Sequence, residues 1–126
     1  MTEEHYRRLN ALYAELEEDG LEIVVFPCNQ FGNQEPDDAF TVAKNVRLNH
    51  GVQFQVMEKV DVNGPKTHEV FKFLKAKTNV KTIPWNFGVY FLINKNGDVS
   101  AHTGVNPSQL RDTIIAELNK PSDFEL

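Results

Sequence analysis

Cys28 is the single thiol of this 126-residue chain. A cysteine acts as a nucleophile when a helix N-terminus or a nearby cation lowers its pKa. Cys28 ends an apolar run and opens the loop PCNQFGNQEP. Phe31 stands three residues on, so there is no CxxC redox pair, and Gln34 stands six residues on, where a cysteine-phosphatase loop would carry Arg. Two readings follow from the residue alone, a small buried hydrophobe or a reactive thiol. Trp85-Asn86-Phe87 is the second candidate group; a lone Trp packs in a core or lines a site. Gln30 and Gln34 are loop amides, solvated or turned to a ligand. His5, His50, His68 and His102 match no metal-ligand spacing.

These residues need elements to position them. Tyr6, Leu9, Leu12, Tyr13 and Leu16 recur at helical spacing after Thr2, a cap candidate followed by Glu3 and Glu4. That predicts a helix to about Asp19, stopped at Gly20. LEIVVF, residues 21–26, has the length and composition of a strand buried on both faces. Asp37 or Asp38 can cap a second helix with Ala39, Phe40, Ala43 and Val46 inward, and Phe54, Val56 and Val60 suggest an extended stretch. Asn63-Gly64-Pro65 is a turn, and a third helix is expected over 66–75 with Val70, Phe71 and Leu74 buried. Residues 78–84 form a linker. VYFLIN, residues 89–94, is a strand, Asn96-Gly97 a hairpin turn and 99–102 the return strand. Asn106-Pro107 opens a last helix, and residues 121–126 form a loose tail.

The order α-β-α-(β)-α-β-β-α describes one α/β domain over 1–126, without repeats. Two features of it are odd. The first helix has no strand before it, and only LEIVVF has the composition of a sheet centre. With 13 Lys and Arg against 18 Asp and Glu, the chain carries net charge −5 and no basic stripe, which argues against nucleic-acid binding. No apolar run reaches the roughly 20 residues of a membrane span. The first ten residues are polar, so no signal peptide is expected among them.

FPCNQFGNQEP, the DVNG turn at 61–64 and WNF before a strand-hairpin-strand resemble, in order and spacing, the glutathione peroxidase family. The resemblance covers Thr2 to about Asn119. It implies a thioredoxin-like three-layer α/β sandwich. It implies reduction of hydrogen peroxide or lipid hydroperoxides by a peroxidatic cysteine or selenocysteine, recycled by glutathione or a thioredoxin-type thiol. It requires no bound cofactor. The site residues it implies are Gln30, Trp85 and Asn86, three neutral hydrogen-bond donors around the peroxidatic atom. None of them can attack a peroxide. Together they can stabilise a thiolate or selenolate and the oxygen it cleaves.

The sequence departs from that pattern at its start. The family's NVAS-x-C-G-L-T stretch aligns its Thr with Thr2 and its Leu with Met1, so the peroxidatic residue and its central strand are expected before Met1. A selenocysteine UGA codon read as a stop would place the next usable start here; a missed upstream exon and a genuinely short product are the alternatives. The 126 residues alone are therefore expected to be inactive and poorly packed. The alternative is a non-catalytic thioredoxin-like interaction module. The second helix has Arg47 and no resolving cysteine, so an external thiol is implied. The short 78–84 linker resembles monomeric, phospholipid-hydroperoxide-like or lumenal members. A cytoplasmic location is the default, with the C-terminal DFEL as a weak pointer to the ER lumen.

Overall fold

The computed structural model describes residues 2–28, 30, 39–57, 59–84 and 87–121. Helix α1 spans Thr2–Leu16, and strand β1 is Val24–Val25. Helix α2 is Ala39–His50, strand β2 Gln55–Val56 and helix α3 Glu69–Thr78. Strands β3, Val89–Ile93, and β4, Val99–Thr103, lead through a 3-10 turn, Pro107–Leu110, into helix α4, Arg111–Asn119. The side chains of Ala39, Phe40 and Ala43 and the cap candidates Asp37 and Asp38 lie outside the described residues, as do residues 122–126.

Side-chain alternation along the strands builds three layers. On β3, Tyr90 and Leu92 turn to the cluster that α1 and α4 form through Leu12, Leu16, Leu110 and Ile114. Val89 and Phe91 turn the other way, to Phe71 of α3 with Val62, Ile83 and Cys28. The first turns of α1 pack Tyr6 and Leu9 against Val46, Phe54 and Val56. The β3–β4 hairpin pairs in register from Val89↔Thr103 to Ile93↔Val99. Its turn is fixed by the Asn94 side-chain oxygen, which accepts from the N–H groups of Asn96 and Asp98 at 3.0 and 2.9 Å. Gly97 takes φ +86°, which a Cβ would oppose.

Helix α3 begins later than its periodicity predicts. His68 caps it, accepting from the Val70 N–H at 3.2 Å, and Lys66 remains in the turn before it. Val70, expected inside, is 39% exposed and, with Phe71 and Leu74, faces an apolar groove.

LEIVVF also differs from expectation. Only its centre pairs, parallel to β2, and Val24 is 49% exposed rather than buried on both faces. Ile23 and Val25 give their carbonyls to Gln55 and Met57 of the β2 side. Val24, between them, therefore turns its peptide groups to the opposite edge. Among the described residues, β1–β2 and β3–β4 are two separate two-stranded sheets. An apolar groove of about 1120 Å³ lies between them, walled by β1, β3 and Tyr6, Leu9 and Leu12 of α1. The half-exposed strand is thus explained by its open edge, not by its residue types. In hydrogen exchange, the Val24 amide is expected to exchange far faster than that of Met57, which β1 protects. Equal protection would show that the edge is closed.

Candidate functional site

Cys28 and Gln30 lie just past the end of β1. Burial in the cluster with Val62 and Ile83 leaves the Cys28 side chain 3% exposed. The Gln30 N–H donates to its sulfur at 3.4 Å, and the thiol faces the Gln30 side-chain oxygen at 3.5 Å. Burial pushes the thiol pKa up, and backbone hydrogen bonds from Gln30 and Val62 only partly oppose it. A raised pKa and a closed position are those of an inert cysteine. The sequence left two readings of Cys28 open, and the geometry favours the buried hydrophobe.

Gln30 uses its carboxamide as a strand would use a peptide group. Its Oε1 accepts from the N–H groups of Val62 and Asn63 at 2.8 and 3.0 Å, and its Nε2 donates to the Asn63 carbonyl at 2.7 Å. Asn63 repeats the device one step further along. Its Nδ2 donates to the Ile83 carbonyl at 2.8 Å, and its Oδ1 accepts from the Ile83 N–H at 2.9 Å. Lys75 of α3 closes the network, donating to the Val62 carbonyl at 2.9 Å and to Asn63 Oδ1 at 3.2 Å. Two amide side chains thus tie the Cys28 loop to the 61–64 turn, and that turn to the residue two before Trp85.

Trp85 and Asn86 lie outside the described residues. Both flanks of the pair are placed. Ile83 is 6% exposed and held by Asn63. Phe87 stacks on His5 in the first turn of α1, with ring centroids 4.8 Å apart, and meets Tyr6 edge-on at 5.1 Å. Phe87 has φ +62°, a left-handed conformation rare for a bulky residue. Such a conformation costs about 1–3 kcal/mol and persists only where surrounding contacts impose it. The structure therefore brings Phe87 to the N-terminal turn of α1, and the network ties Gln30 through Asn63 to Ile83. Sequence reading missed His5, which is 6% exposed. The available signal was its spacing: residues 5, 9, 12 and 16 share one helical face.

Among the described residues no cluster of His, Cys, Asp and Glu could hold a metal ion. No helix among them is long and apolar enough to cross a membrane. Asn63→Ala would leave the peptide groups of buried Ile83 without their partner. It is expected to cost about 1–3 kcal/mol in denaturant unfolding. A change within error would show that Asn63 does not anchor the segment.

The profile of the family described as glutathione peroxidase matches residues 1–75. The chain is 42% identical over 115 residues to the glutathione peroxidase-like peroxiredoxin HYR1 of Saccharomyces cerevisiae, covering 86% of this chain and 70% of that protein. It is 37% identical over 124 residues to the hydroperoxy fatty acid reductase gpx1 of a Synechocystis strain, covering 91% and 72%. The fold superposes on the crystal structure of Trgpx in apo form with a TM-score of 0.74 at 28% identity, covering 94% of this chain and 72% of that one. With a profile match over more than half its length, relatives of this identity and the same thioredoxin-like α/β layers, the chain belongs to the glutathione peroxidase family.

Proposed function

We propose that this protein serves the reduction of hydroperoxides, fatty-acid hydroperoxides among them, with a thiol such as glutathione or a thioredoxin-type protein as reductant. The observation that carries this reading is the docking of Phe87 on the first turn of α1, within a chain whose family is established. It supports a site in which Trp85 and Asn86 present an indole N–H and an amide N–H near that helix terminus. Neutral donors of this kind stabilise the anion of the nucleophile and the negative oxygen that leaves as the O–O bond breaks. The fatty-acid preference rests on the Synechocystis relative.

Gln30 has a different share of the work than its position in the string implies. Its oxygen and one N–H are already committed to Val62 and Asn63. We therefore assign Gln30 the positioning of the loop and the 61–64 turn, with its second N–H as the part left for a reacting oxygen.

The proposal also holds that the 126 residues contain donors and no nucleophile. Cys28 is the only thiol, and burial raises its pKa. The isolated chain is expected to give no hydroperoxide turnover above a protein-free control, with glutathione or with thioredoxin, and Cys28→Ser is expected to change nothing. Turnover that disappears in Cys28→Ser would make Cys28 the nucleophile. A chain extended at its N-terminus by the family's cysteine-containing segment is expected to reduce a fatty-acid hydroperoxide, and Trp85→Ala or Asn86→Ala in it should each lower kcat by roughly 10–1000-fold. Absence of turnover from that extended chain would leave the non-catalytic interaction module as the reading.

A further inference from the structure

A buried imidazole closes the first turn of α1 onto β3. Glu3 and Glu4 beside it are exposed, while His5 is 6% exposed. Phe87 stacks on its ring at 4.8 Å with planes 17° apart, and Tyr90 of β3 lies 5.8 Å away, nearly parallel at 18°. The Tyr90 hydroxyl is 2.6 Å from His5 Nδ1. Burial pushes the phenol pKa well up, so Tyr90 keeps its proton at pH 7. Burial pushes the imidazole pKa down, so His5 is neutral there. A buried phenol needs an acceptor, and Nδ1 of the tautomer protonated at Nε2 provides one.

A proton on Nδ1 is incompatible with that bond. An imidazolium has a donor at each ring nitrogen, so the Tyr90 O–H loses this acceptor. A charge is also costly in a closed site. The charged groups around His5 leave that balance in place. On α1, Glu4 favours the cation, while the α-amino group and Arg8 oppose it. The Glu4 carboxylate is itself paired with Arg8 at 2.8 Å. From β3, the facing titratable group is Tyr90. From α2, His50 stacks on the neighbouring Tyr6 at 4.4 Å, a second imidazole in the same region.

We propose that His5 is an acid-released latch. Its neutral ring joins the first turn of α1 to β3 through Tyr90 and Phe87, and protonation lets that turn open. Phe87 loses its stack in the same step. In the open turn the imidazole titrates near its ordinary value of about 6.5, and in the closed turn lower. The open turn therefore takes up the proton more readily. The latch has its full strength above about pH 6.5 and weakens as pH falls below that. The loss reaches at most about tenfold per pH unit, until the closed turn takes up the proton as well.

Hydrogen exchange of the Arg7 and Arg8 amides, in the first turns of α1, tests the latch. It is followed by NMR from about pH 7.5 to about pH 5 and corrected for the intrinsic rate at each pH. The titration of the His5 ring is recorded alongside. The unaltered chain is compared with His5→Phe, which keeps a ring for Phe87 and cannot take up a proton, and with His50→Gln. In the unaltered chain and in His50→Gln, protection of both amides is expected to fall roughly five-fold from about pH 6.5 to about pH 5.5. In His5→Phe it is expected to stay level. The proposal is overturned if protection stays level in the unaltered chain, if its fall survives in His5→Phe, or if it disappears in His50→Gln. His5 is expected to titrate below its ordinary value. A titration at or above that value, as for an imidazolium held between two ring faces, overturns the proposal without any variant. Should His5→Phe fail to fold, that titration decides.

Discussion

The bond between the Gln30 carboxamide and the backbone of Val62 and Asn63 is the interaction on which the site's geometry depends. Backbone groups in a packed region must find partners, and among the described residues no strand supplies them here. Gln30 and Asn63 act as side-chain substitutes for a strand. Each offers a carbonyl oxygen and an amide N–H to one short stretch of chain. Lys75 adds a charged donor from α3, stronger than a neutral one. The result is a relay of fixed distances from the end of β1 to Ile83. On the other side of Trp85 and Asn86, the rings of His5, Tyr90 and Phe87 make a second anchor of a different kind, built from stacking rather than backbone pairing.

This arrangement explains why the two sheets can stand apart while Ile83 and Phe87 stay anchored. β1–β2 and β3–β4 do not bond to each other among the described residues, and an apolar groove lies between them. The layers are held by helices that reach both halves. Helix α1 places Tyr6 and Leu9 against Val46 and Phe54, and Leu12 and Leu16 against Leu110 and Ile114. The exposed bond from Arg111 of α4 to Glu15 of α1 adds little to that apolar contact. The site therefore inherits its position from α1 more than from the sheet edges.

Much of the fold was legible in the residues. The apolar spacing of α1, the Asn96-Gly97 turn with its flanking strands, and the Asn106-Pro107 start are local signals, and local chemistry decides them. LEIVVF was harder, because its composition records a buried strand while its pairing depends on neighbours that no local window contains. Val70 is part exposed because it faces the groove between the sheets, which no local window shows. At the site, the family strings named Gln30, Trp85 and Asn86, and of these the structure describes Gln30. The role of Gln30 was hidden, since its partners are more than thirty residues away and nothing in a loop amide names them. His5 was legible only as a fourth member of the 5, 9, 12, 16 face, a signal easily lost among Glu3, Glu4 and Arg7.

The central claim is that the two flanks of the Trp85-Asn86 pair are anchored, Ile83 by Asn63 and Phe87 by His5. The most direct measurement is hydrogen exchange of the Ile83 amide, read in two-dimensional 15N–1H spectra of the chain and of its Asn63→Ala variant. The account predicts slow exchange in the chain and rapid exchange in the variant. Rapid exchange in both would contradict it.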